Sequence, residues 1–368
     1  MDSITQGMLG AATAQLGFRQ KLGRDATWVA AFAAYSPDLD SFIAPVLGSL
    51  GYVDPFASML YHRWITHSLL MIPLTALLFA GPWWLVRRGY ARYKRRRGEQ
   101  QEAPSSPFGL LFLCCLVAAA THAPLDWCTS YGTQLLSPFT DARYAIDVVA
   151  IVDIIYTPLL ILTLLVCFIV RRGRKNIHRK ATVVIGAAGL LLSTGYLCVG
   201  RWMHNRAVAE ALQELNLQPQ QVKRAEAYPM IGTIFLWQAV VETPEDWHIV
   251  RVHHFADPQG PRKTLHYAKP PENEWIRRAR QTRGFRIYNW FSDDMVRFSH
   301  TRTSDGSHVV TMNDMRYAFY NNGGRSIWPV TVTFPPGGGE PVVERLRGRP
   351  GRDMRDFAAT IWADLTNP

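Results

Sequence analysis

Four apolar runs, at 68–86, 108–124, 148–170 and 181–200, constrain this chain more than any other feature. Each approaches the roughly 20 residues that a helix needs to cross the hydrocarbon core of a bilayer. In that medium every backbone N–H and C=O must find its partner inside the protein, so such runs fold as helices. Residues 1–202 therefore read as an α-helical multi-pass membrane domain. After Arg201 the long runs stop, and 203–368 has the mixed pattern of a small soluble α+β domain. A hydrophobic fraction of 48% over 368 residues is the average of these two unlike halves.

The net charge of +11 is unevenly spread. Basic residues crowd into Arg87–Arg97 and into 171–180, each directly behind an apolar run. Placement beside spans is what the positive-inside rule describes. It assigns the charge to membrane topology and leaves no case for a nucleic-acid partner. With both basic loops cytoplasmic, the ends of the first two spans near 62–67 and 122–126 fall on the outer face. The 203–368 domain falls there too, on the periplasmic side of a bacterial envelope. The apolar pieces at 4–18, 26–35 and 41–53 are each short for a span and predict a partly re-entrant helical hairpin. The stretch Met1–Gln6 lacks the basic n-region of a signal peptide. Five cysteines, none of them in 203–368, show neither a disulfide framework nor zinc-type spacing.

In the soluble half, residues 203–216 continue the last span as an amphipathic helix. Strand patterns occupy 231–242, 247–256, 308–319 and 327–334, with helical patterns near 272–282 and 354–365. Turn signals at Asn321-Asn322-Gly323-Gly324 and Pro335–Gly339 separate them, which suggests an antiparallel sheet. The histidines here (His248, His253, His254, His266, His300 and His308) are scattered and read as surface residues. Asp314-Met315-Arg316-Tyr317 reads as an ion-paired structural corner.

Three clusters in the membrane half carry chemistry. They are Ser36-Pro37-Asp38-Leu39-Asp40, His62-Arg63-Trp64-Ile65-Thr66-His67-Ser68, and Thr121-His122-Ala123-Pro124-Leu125-Asp126. Ionisable groups are costly in membrane segments and mark function there. Imidazole with carboxylate suits zinc foremost, with manganese or iron as alternatives. His122 and Asp126 are four apart and share a helix face, although Pro124 between them would kink a continuous helix. His62 and His67 are five apart, so His62 should precede a helix and His67 fall in its first turn. Ser36 and Pro37 would begin a helix whose N-terminus carries Asp38 and Asp40. The expected metal ligands are Asp38, Asp40, His62, His67, His122 and Asp126. Asp40 doubles as a general base, Arg63 as an anion or phosphate partner, and Asp153 as an acceptor that orients a ligand histidine. For Arg63 a lipid-headgroup contact, and for Asp153 a buried ion pair, weigh equally.

The set of Met1–Gly7, Leu9-Gly10, Pro37–Asp40, Tyr61-His62-Arg63 and Thr66–Leu70 resembles a family of membrane-bound proteins labelled metal-dependent hydrolases. These include the LexA-regulated inner-membrane hydrolases of bacteria. Thr121-His122, Leu125-Asp126-Trp127, Tyr131–Gln134 and Asp153–Thr157 resemble its longer subgroup, and the resemblance covers about residues 1–200. It implies a bacterial inner-membrane location and hydrolytic, metal-dependent chemistry. Some members carry histidine where this chain has Gln6, so Gln6 is not expected as a ligand. Trp64 stands where a glycine is common.

Together these features point to a membrane-bound hydrolase that cleaves an ester or phosphoester of a lipid or envelope substrate with a metal-activated water. The contrasting possibility is a metal or ion transporter, or an envelope-assembly protein whose outer domain binds a partner. The ionisable residues cluster toward one face, which argues against a through-path.

Overall fold

A computed structural model describes residues 1–98, 107–172, 176–255, 260, 262–318 and 324–346, with side chains of 176–179 excepted. The chain divides into two compact units, residues 1–42 with 63–199 and residues 43–62 with 200–368.

The first unit is helical. It contains α1 (Ser3–Thr13), α2 (Phe18–Leu22), α3 (Asp25–Tyr35) and a 3-10 turn at Ser36–Phe42. Helices α4 (Ile43–Ser49) and α5 (Ala57–Tyr61) follow in the chain and belong to the second unit. The first unit resumes with α6 (Met71–Arg96), α7 (Phe108–Ala119), α8 (His122–Trp127) and α9 (Tyr156–Arg171). Helix α10 (Asn176–Glu214) follows, its residues to Val199 counted in the first unit and those from Gly200 in the second.

Two described helical segments are long and apolar enough to cross a membrane, Phe108–Trp127 and Lys180–Glu214. A third joins them if the broken pair ending in α6 counts as one span. Among the described residues two to three segments thus have span length, against four expected from the sequence, and α9 is a shorter apolar helix. The run at 148–170 falls short because its first part is not helical. The Asp153 carboxylate accepts from the backbone N–H of Ile155 and of Tyr156, both at 2.8 Å, and so starts α9 only there. The basic stretch after residue 86 is not a loop, since α6 continues to Arg96. The sequence's basic residues at 173–175 lie outside the described set, as does most of the polar loop at 98–107.

Helices in lipid gain no hydrophobic drive from meeting each other, so small residues at crossings do the work. On α1, a Cβ at Gly10 would lie 2.5 Å from the Ala34 Cβ and 2.6 Å from the Ala30 carbonyl oxygen of α3. Ala26, Ala30, Ala33 and Ala34 are fully buried, which lets α3 pack closely against its neighbours. The same device brings α10 against α9, where a Cβ at Gly189 would meet Thr163 Oγ1 at 2.2 Å. These close crossings carry the N-terminal residues and the end of α3 to the level of α8.

The second unit contains two four-stranded antiparallel sheets of simple meander order. One comprises β1 (Arg224–Pro229), β2 (Leu236–Glu242), β3 (Asp246–His253) and β4 (Thr264–Ala268). The other comprises β5 (Val296–Arg302), β6 (His308–Asp314), β7 (Val330–Phe334) and β8 (Val342–Arg345). Between them in sequence lie α11 (Glu274–Arg280) and α12 (Arg283–Phe291). Strands β2, β3, β6 and β7 fall where alternation predicts them, while β1, β4, β5 and β8 are less buried and were not foreseen. The Asp314 corner is structural, as expected. The buried Arg316 guanidinium bonds the Asp314 carboxylate through Nε at 3.0 Å and Nη2 at 2.8 Å. Burial opposes its charge, but Asp314 more than offsets this and raises the guanidinium pKa. The helix expected near 354–365 lies outside the described residues, as does Asn321-Asn322-Gly323.

The crossing at Gly10 yields a first test. Gly10→Leu should lower stability in detergent by about 1–3 kcal/mol through overpacking. Gly195→Leu, where nothing lies within 4 Å of the added Cβ, should be close to neutral. Thermal unfolding of the two variants checks the contrast, and equal melting temperatures would refute the packing account.

Candidate metal centre

Three local structures, none a plain continuous helix, build the centre. Helix α7 ends at Ala119, and α8 restarts at His122. Pro124 therefore sits in a first turn, where helical N–H groups lack partners anyway and the missing donor costs little. The restart keeps His122 and Asp126 on one face, with Nε2 and Oδ2 3.3 Å apart. After α5 the chain turns sharply at Arg63, a non-glycine residue at φ 62. The segment Ile65–His67 is a 3-10 turn that delivers His67, and α6 begins only at Met71. Ser36 starts no α-helix: it is at once the C-cap of α3, its hydroxyl donating to the Ala33 carbonyl, and the first residue of the 3-10 turn Ser36–Phe42. Asp38 and Asp40 lie in that turn.

Four ligand atoms converge, one each from Asp38, His67, His122 and Asp126, all within 4.8 Å of one another. All four residues are buried. The close approaches form a ring. His67 Nε2 lies 3.2 Å from Asp126 Oδ2 and 3.3 Å from Asp38 Oδ1. His122 Nε2 lies 3.3 Å from Asp126 Oδ2 and 3.6 Å from Asp38 Oδ1. Tetrahedral coordination with bonds of about 2.0–2.1 Å places neighbouring donors about 3.3–3.4 Å apart.

The outward-facing atoms are committed elsewhere. His122 Nδ1 lies 2.6 Å from the Ala34 carbonyl, which can only accept. That bond puts the proton on Nδ1 and leaves the Nε2 lone pair facing the ring. His67 Nδ1 lies 3.1 Å from Asp40 Oδ2, an arrangement that likewise directs Nε2 inward. Histidine ligands of metals are held in this way, by a carboxylate or a carbonyl on the far nitrogen. Asp126 is divided between two tasks. Its Oδ1 is met by the Met1 amino group at 2.5 Å, Gln6 Nε2 at 3.0 Å and Arg63 Nη2 at 3.2 Å. Its Oδ2 and His122 Nε2 have no hydrogen-bond partner outside the ring. Buried polar atoms without partners are costly. A divalent cation would answer them and would also balance the two ring carboxylates. The donor set therefore fits a metal.

The remaining expected residues lie outside the ring. Asp40 accepts from the Arg63 N–H at 3.0 Å and from the Thr66 hydroxyl at 2.7 Å, besides facing His67. Arg63 is buried and engaged, giving Nη1 to Thr129 Oγ1 at 2.6 Å and to the Asp126 carbonyl at 3.2 Å. Asp153 accepts from the Tyr196 hydroxyl at 2.8 Å besides starting α9. His62 is the half-buried C-cap of α5 and is not in the ring. Gln6 was not expected to act, yet its amide holds both Asp126 Oδ1 and the His122 carbonyl. The resemblance, in which some members carry histidine at this position, was the signal that could have found it. In the second unit, β-sheet register sets His248 opposite His266, and the rings of His300 and His308, which are not register partners, stack with centroids 5.2 Å apart.

A helical domain with span-length apolar helices and a buried histidine–aspartate centre defines a class of membrane proteins with a candidate metal site. The chain belongs to the YdjM inner membrane protein family, which it matches over residues 1–207. The matched region agrees with the sequence resemblance, which covers about residues 1–200. No curated protein and no solved structure matches the chain.

The role of Asp40 can be measured directly. Asp40→Asn and Thr66→Val should each weaken affinity for a divalent cation, about 10–100-fold for Asp40→Asn. Competition with a chromophoric chelator reads this out, and unchanged affinity in both variants would show that His67 needs no such support.

Proposed function

We propose that the chain is a membrane-embedded metal-dependent hydrolase, with Asp38, His67, His122 and Asp126 as the ligands of a divalent cation, zinc foremost. One observation carries the proposal. In a ring of two histidines and two aspartates at bonding distances, His122 Nε2 and Asp126 Oδ2 lack hydrogen bonds outside the ring while the opposite atoms of both side chains are committed.

Such a cation supplies Lewis acidity and a water acidified toward neutral pH. The protein's own residues do the rest. Asp40 and the Ala34 carbonyl hold the two imidazoles in the tautomers that face the ring. Gln6 and Arg63 tie down Asp126 Oδ1, so that Oδ2 stays on the ring side. A cavity of about 10 Å³ lies beside the ring, lined by residues that include His67, His122, Thr66 and Ser68. That is about the room one water requires. Thr66 and Ser68 bring hydroxyls to its wall.

The substrate we favour is an ester or phosphoester of a lipid or envelope molecule. Support comes from location: His122 and Asp126 lie in the apolar segment Phe108–Trp127, and Leu69, Leu70 and Trp127 nearby in sequence are well exposed. Arg63 is engaged by Asp126 and Thr129, so our reading makes it a positioning residue and gives phosphate binding no special weight. Asp153 and His62 take no part in the reaction in this reading.

Purified protein should retain about one equivalent of divalent metal, and its esterase or phosphoesterase activity on lipid substrates should vanish on chelation and return with added zinc. His122→Ala and Asp126→Asn should lose the metal, whereas His62→Ala should keep it. Full metal content in both ring variants, with folding verified by circular dichroism, would defeat the assignment.

Charge placement supports an orientation with the basic end of α6 in the cytoplasm and residues 203–368 in the periplasm. A C-terminal alkaline phosphatase fusion should then be active and a C-terminal green fluorescent protein fusion dark. The reverse pattern would invert the topology.

A further inference from the structure

The second unit holds a separate constellation on the face of its first sheet. His248 of β3 and His266 of β4 are directly opposed in register. Directly opposed residues bring their side chains together on one face of a sheet. Their rings accordingly lie with centroids 5.0 Å apart. Asp246 precedes His248 by two residues and so shares its face. Its own partner across the strands is Ala268, whose methyl leaves the space open. The Asp246 carboxylate leans diagonally through that space to within 2.8 Å of His266 Nε2. One ligand atom from each of the three residues lies within 4.8 Å of the others.

We infer that Asp246, His248 and His266 form a second, solvent-open site for a transition-metal cation of the zinc type, which clamps β4 to β3. Three features carry the inference. The donor set is two imidazoles and a carboxylate, a composition that zinc takes with three protein ligands and a fourth position left to water. The donors come from two hydrogen-bonded strands whose register is fixed, so little chain entropy is lost on binding. The site is also reachable from solution, since the side chains of His266 and Asp246 are 56% and 28% exposed.

The structural consequence falls on β4. This strand ends the sheet order, so among the described residues β3 is its one strand neighbour, while Leu265 and Tyr267 pack against a core cluster. It is five residues long and no residue of it is fully buried. A short edge strand with little buried side chain opens locally at small cost. A cation bridging His248 and His266 adds a cross-strand link at its middle residue. This site is built from different residues, in a different unit, from the ring of the membrane domain, and the two can be tested separately.

The experiment is hydrogen exchange on the full chain in detergent, with and without added zinc chloride, read at the amides of 264–268. In the wild-type protein zinc should slow exchange there by about tenfold or more, equivalent to 1.4 kcal/mol of added local stability. His266→Gln and His248→Gln keep side-chain volume and hydrogen bonding, and each should abolish the zinc effect. His122→Ala, which removes a ring ligand, should leave it intact. No slowing in the wild type would overturn the site, and so would equal slowing in both glutamine variants. In those cases the 2.8 Å contact is only a surface pair between Asp246 and a protonated His266.

Discussion

The membrane unit is organised around a carboxylate that cannot satisfy both of its oxygens in the same way. Asp126 is fully buried, and its Oδ1 receives three N–H donors. Its Oδ2 faces two imidazole nitrogens. An unpaired carboxylate in such surroundings would be heavily penalised, so the donors around Oδ1 must be present. They come from three separate parts of the chain: its first residues, Gln6 on α1, and Arg63 after α5. The demand of one side chain thus draws together the start of α1, the turn at Arg63 and the restart at α8.

Close helix crossings make that meeting achievable. Gly10 on α1 faces Ala30 and Ala34 on α3. The same Ala34 offers its carbonyl to His122 Nδ1. Packing and chemistry therefore share a residue, and a shift of α3 along α1 would disturb the tautomer of a ring histidine. Asp40 plays the matching part for the other histidine. It holds the Arg63 N–H, the Thr66 hydroxyl and His67 Nδ1 together, which stabilises an irregular turn and aims a ligand with one carboxylate. Backbone without helical bonding can persist here because protein covers it.

Much of the centre was legible in the residues. Asp38, His67, His122 and Asp126 stood out as ionisable groups bordering apolar runs, and the i, i+4 spacing of His122 and Asp126 placed them on one face. Pro124 seemed an obstacle only while α7 and α8 were taken as one helix. The separate parts of Asp40, Arg63 and His62 could not be read from spacing, because all three sit in the same clusters as the ring residues. Gln6 carries no charge and lies in a run of small residues, so only the resemblance singled it out, and its hold on Asp126 was not legible. In the second unit the less buried strands β1, β4, β5 and β8 escaped notice because their alternation is weak. The pairing of His248 with His266 depends on β4 and vanished with it.

By itself the sequence determined the class of the protein. Long apolar runs admit only helices in a bilayer, basic residues flank them, and histidines with aspartates mark their ends. These are properties of local composition, and they survive whatever the chain does elsewhere. Tertiary structure alone decided which histidines and aspartates form the ring, which hold them from behind and which stand apart. It also decided where each span begins, since the Asp153 carboxylate starts α9 well inside an apolar run. Coordination and capping depend on distances of about 3 Å between atoms far apart in the chain, and periodicity along a sequence carries no such information.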